Sequence, residues 1–184
     1  PLRHSSAASD VYKRQSQGYY IQIAATAFDD ASGNSYAGIS DTTSLSFTAA
    51  DVLGPTLSSS SPADNATGVA GGANIVLTFN ENVVLGSGNV SLYKTNGTLV
   101  EAMNVSSSAV TASTNTVTIN PTANLVTLEG YYILIDATAI DDASGNSYAG
   151  IGNSSALNFT AADLSPPTLT STSPADNATG VALD

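Results

Sequence analysis

The chain has 184 residues and no cysteine, with fifteen acids against four Lys or Arg and one His, a formal charge of −11. The absence of cysteine excludes disulfide scaffolds and thiolate metal sites. The acidity argues against nucleic acid and anionic membrane surfaces as partners, because both repel a negative chain. No apolar run approaches the length of a membrane span, so no membrane insertion is expected from this stretch.

In chain order, Ser5–Gln15 (SSAASDVYKRQ) looks like a sequencing-library adapter translated in frame. Residues 1–15 are therefore set aside as an adapter or assembly artefact; they are also too polar for the apolar core of a signal peptide. They carry Arg3, His4, Lys13 and Arg14. The remainder holds one base, Lys94, against fourteen acids, a net charge of −13. Without His or Cys, that remainder offers no Ser–His–Asp base, no cysteine nucleophile and no ordinary zinc ligand set. Glu81, Glu101 and Glu129 fall in different segments, so no facing carboxylate pair of the glycosidase kind is indicated. No enzyme is expected here.

The remaining sequence repeats itself at an offset of 112 residues. Gly18–Asp51 matches Gly130–Asp163, and Pro55–Ala70 matches Pro167–Ala182. Repeats of this kind mark arrays of like units. The expected organisation is the back part of one unit at 16–53, a whole unit at 54–163, and the start of another at 164–184. The boundaries DVLGPT (Asp51–Thr56) and DLSPPT (Asp163–Thr168) are short and carry proline, which predicts semi-rigid junctions.

Within the whole unit, period-2 alternation predicts strands with one buried face. The expected strands are Thr56–Ser61, Asn74–Asn80, Asn89–Thr95, Thr98–Ala112 (interrupted at Ser106–Ser108), Asn115–Asn120, Tyr131–Ile140 and Ala156–Asp163. Asn96–Gly97 reads as a two-residue hairpin turn. Tyr131, Ile133, Ile135, Ala137 and Ala139 are unchanged between the two copies of their strand, and so form the expected core face; Tyr132 points outward, free to stack on a ligand. The fold class is all-β, an antiparallel β-sandwich of about seven strands in tandem repeat.

Strand counting also places the decapeptide DDASGNSYAG, found at Asp29–Gly38 and Asp141–Gly150. It lies at the pole where the chain enters the whole unit, beside the loop carrying Glu81 and the linker acid Asp51. Asp64 and Asn65 are expected at the opposite pole. Two readings stay open for the decapeptide. Asp, Asn and Gly are what a tight turn requires. Alternatively Asp51, Glu81, Asp141, Asp142 and Asn146 converge on Ca²⁺, which takes six to eight oxygen ligands, at a joint between units.

The ordered run SPADNATGVA, NIVLTFNENV, GYYILIDATAIDDASGN and LNFTAAD resembles the SbsA-type bacterial Ig-like domain. The resemblance implies an Ig-like sandwich without catalytic residues, used as a spacer or display unit in extracellular bacterial surface proteins. Its expected partners are neighbouring Ig-like repeats of the same chain and an unidentified cell-surface or matrix ligand bound elsewhere. The alternatives are an accessory carbohydrate- or protein-binding module of a secreted polysaccharide-degrading enzyme, and S-layer assembly.

Overall fold

Alternation becomes structure most plainly at Ile75–Phe79, where Ile75, Leu77 and Phe79 are buried while Val76 and Thr78 are only partly covered. The computed structural model describes residues 16–182; the adapter-like segment 1–15 and the last two residues lie outside the described residues. Thirteen strands and no helix make up the described chain. β1 (Gly18–Tyr20) and β2 (Ser46–Thr48) form a pair of their own. β3 (Leu57–Ser61), β4 (Ala66–Val69), β5 (Ile75–Phe79), β6 (Val83–Leu85), β7 (Asn89–Lys94) and β8 (Leu99–Asn104) follow. β9 (Val110–Ser113), β10 (Thr116–Ile119), β11 (Gly130–Ile135), β12 (Ile140–Asp142) and β13 (Asn158–Ala161) complete the order.

From β3 onward the strands make an Ig-like sandwich. One sheet has the order β3-β5-β10-β9 and the other β4-β13-β11-β7-β8, with a small β12-β6 pair beside them. All pairings are antiparallel except β4 on β13. The inner faces meet in one core, in which Leu77, Leu92, Val117 and Ile133 are completely buried. Truncating such a side chain to alanine costs about 2–5 kcal/mol through lost burial and the cavity left behind. Tyr131 adds a polar tie: the Val126 amide donates to its hydroxyl at 2.7 Å.

Several expectations are corrected. The segment Thr98–Ala112 is not one interrupted strand. After β8 the chain crosses from the five-stranded to the four-stranded sheet and resumes as β9; Asn104 Oδ1 accepts from the Ser106 amide and hydroxyl at that crossing. The Asn96–Gly97 hairpin has a three-residue loop instead of two. The Gly97 amide donates to the Lys94 carbonyl and the Lys94 amide to the Thr98 carbonyl, both at 2.9 Å. Only Gly97 has positive φ there, at 86°, whereas the type I′ turn that an Asn-Gly pair favours needs positive φ at both central residues. The strand expected over Tyr131–Ile140 breaks after Ile135, so Ala137 is exposed while Ala139 and Ile140 are buried. Asp64 and Asn65 lie midway along one edge of the sandwich, away from the far pole. Asp64 Oδ1 accepts from the Asn158 amide at 3.0 Å, and Asn158 pairs with Tyr132 in mid-strand.

The β1–β2 pair repeats the register of β11–β13 at the same offset: Gly18↔Thr48, Tyr19↔Phe47 and Tyr20↔Ser46 against Gly130↔Thr160, Tyr131↔Phe159 and Tyr132↔Asn158. Its surroundings differ, since Phe47 is 54% exposed where Phe159 is 2% exposed.

Candidate functional site

The decapeptide loop is tied chiefly to itself. Asp142 Oδ1 accepts from the Ser144 and Asn146 amides at 2.8 Å each, and its Oδ2 accepts from Asn146 Nδ2 at 2.7 Å. Ser147 Oγ donates to Asp141 Oδ1 at 2.6 Å. The upstream copy closes with the same set, Asp30 accepting from Ser32 and Asn34 and Asp29 from Ser35. An Asx-type turn of this kind lets short polar side chains satisfy their own backbone. Much of the decapeptide's composition is therefore accounted for by its turn.

The loop is anchored to the sandwich at both sides. β12 pairs with β6, matching Asp141 to Val84 and Asp142 to Val83. Behind it, Tyr148 meets Phe79 edge to face, ring centroids 5.2 Å apart. The incoming linker lies against the same pole. The Thr56 amide donates to Asn80 Oδ1 at 2.6 Å, Asn80 returns its amide to the Thr56 carbonyl at 3.1 Å, and Pro55 is buried.

These contacts bring three of the five expected residues together. Asp51 of the linker, Glu81 between β5 and β6, and Asp142 of β12 each offer a carboxylate oxygen within 4.8 Å of the others. Asp142 is 3% exposed; Asp51 and Glu81 are half-buried. Asp141 does not join them: neighbours on a strand point to opposite faces, and its carboxylate turns toward Ser147 and Gly86. Asn146 donates its side-chain amide nitrogen to Asp142 Oδ2, which ties it to one member of the group.

The electrostatics follow from the crowding. Burial, then the charges of Asp142 and Asp51, push the Glu81 carboxyl above its ordinary 4.5. Burial also raises Asp142, but the Asn146, Ser144 and Gly145 hydrogen bonds outweigh it and hold the carboxyl below its ordinary 3.8. Lys94, the one base among the described residues, pairs with Glu129 at 3.1 Å. That pair lies at the other pole, beside Thr95 and Gly130. Three hard oxygen donors without a neighbouring base suit a calcium-like cation and lack the His or Cys that zinc sites ordinarily use.

The other groups weighed in the sequence are engaged elsewhere. Glu101 accepts from the Thr122 hydroxyl and from the Thr122 and Ala123 amides. Tyr132 lies parallel to Tyr93, ring centroids 5.2 Å apart, so each ring occupies one face of the other. Sequence reasoning missed the backbone contact of the linker with Ser147; the one available signal was a glycine, Gly54, directly before the linker proline.

The profile of a family described as bacterial Ig-like domain matches residues 51–161. Among solved structures, CopC from Methylosinus trichosporium OB3b is similar at a TM-score of 0.40 and 15% identity, over 62% of this chain and 99% of that one. No curated protein matches the sequence.

Proposed function

The chain belongs to the bacterial Ig-like domain family, and from that membership we propose a non-catalytic spacer. In this reading residues 54–163 are one unit in a tandem array within a long extracellular bacterial surface protein, an adhesin, of the SbsA-type subgroup. The array holds a binding region, carried elsewhere in the protein, away from the cell. The observation that carries the reading is the seating of Asp51, the last acid of the preceding segment, against Glu81 and Asp142 of the next unit. An acid of the linker set into the entry pole ties the incoming chain to the unit, as a rigidly joined array requires.

Calcium at that pole is part of the proposal. Asp51, Glu81 and Asp142 would supply carboxylate oxygens, with nearby carbonyls and water filling the remaining positions. The ion would offset the mutual repulsion of three acids and fix the linker to the unit it enters. A ligand that binds only the folded form raises stability by mass action. The test is a thermal melt of the whole chain, first in calcium and then in chelator. The expected result is a rise of several degrees in calcium that disappears in Asp51→Asn and Glu81→Gln, which leave the Asp142 turn intact. No calcium response would remove the ion and leave a spacer joined by packing alone.

A further inference from the structure

The two linkers, DVLGPT and DLSPPT, occupy equivalent positions at the 112-residue offset, and where one has Gly54 the other has Pro166. In the first linker that position has no room for a side chain. A Cβ on residue 54 would overlap the Ser147 carbonyl oxygen and lie 2.8 Å from its carbon. Both are backbone atoms, so no change of rotamer relieves the clash.

Neither side is free to slide. The linker is held by the reciprocal Thr56–Asn80 hydrogen bonds. Ser147 is held by its bridge to Asp141 and by its hydroxyl bond to the same residue. The contact also does not depend on which residue stands at 147, because every residue has a carbonyl. Both copies of the loop in the chain are in any case identical.

Proline at this position carries a Cβ and a ring. In Pro166–Pro167 it also keeps the segment extended, since each proline fixes its own φ and restricts the residue before it.

We infer that the residue at position 54 and its equivalents selects between two kinds of junction. Glycine gives a closed junction, in which the linker backbone lies on the decapeptide loop of the unit being entered. Proline gives an extended one, in which the linker is held off that loop. The inference concerns how units are joined and requires no calcium, so it stands or falls separately from the ion.

The chain has no native cysteine, so nitroxides can be attached at chosen sites in the full chain. One pair, at Val52→Cys in the linker and Thr98→Cys at the far pole, reads the junction. A second pair, at Thr98→Cys and Ser144→Cys, reads the unit alone. Both positions 52 and 98 are exposed. Distances are measured by double electron–electron resonance in chelator. The expected result is a narrow 52–98 distribution with Gly54, and a shifted, broader one in Gly54→Pro and Gly54→Ala, the 98–144 pair being unchanged. An unaltered 52–98 distribution in both variants would overturn the inference. So would loss of the 98–144 distance in both, since a residue that only sets the junction cannot unfold the unit.

Discussion

Glu81 and Asp142 share a pole, yet their contributions to stability run in opposite directions with pH. Glu81 is raised above 4.5 when folded, so the folded state holds its proton more tightly, and stability is lost as pH rises through 4.5 toward the raised value. Asp142 is lowered below 3.8, so its contribution is present above 3.8 and lost as pH falls through the lowered value. For these two groups together, the chelated protein is most stable between 3.8 and 4.5. Melting temperature followed against pH should therefore decline above that window in the parent and not in Glu81→Gln. A parallel decline in both would assign the effect to other groups. That Asp51, Glu81 and a decapeptide aspartate meet was legible from strand counting alone. Which of two adjacent aspartates faces inward was not, because it depends on the register of a three-residue strand, β12, that the sequence pattern does not announce.

At the level of elements, the longer strands were legible because burial on one face enforces alternation over five or six residues, as in β5 and β11. β4 and β6, with four and three residues, are too short to show a period. The change of sheet between β8 and β9 was hidden for another reason: Val105 stays buried through the crossing, so the apolar pattern runs on while the hydrogen-bond partners change. The Ala137 error arose from extending a period past the strand's end. One tie between elements can be removed cleanly. Tyr131→Phe keeps the ring in the core and deletes the acceptor of the Val126 amide, which should cost about 1 kcal/mol in urea denaturation. The same change at the upstream copy, Tyr19→Phe, should leave the denaturation midpoint unmoved.

Across the whole molecule, cooperative stability should follow the core. The buried cluster runs from Ile75 to Ala161, whereas Tyr20, Phe28, Phe47 and Leu169 are 55%, 61%, 54% and 82% exposed. A two-stranded pair without a covering layer is marginal in water. Amide exchange is expected to be slow from about β3 to β13 and fast in both flanks; equal protection in β1–β2 would show that the upstream pair has found a cover of its own.

The parallel pairing of β4 with β13 bears on how the unit meets mechanical load. The chain enters at one pole and leaves at the other, and these two strands belong to its first and last parts. They are joined by Ala66↔Phe159 and Val69↔Ala161, with the Asn65 amide on the Asn158 carbonyl at 2.7 Å and the Ala162 amide on the Val69 carbonyl at 2.8 Å. Tension applied at the two ends draws the strands past each other along their length. The bonds between them lie across the pull and bear it together, where an antiparallel pair pulled from one end would open bond by bond like a zip. A unit built this way is expected to yield late under tension applied at its two ends.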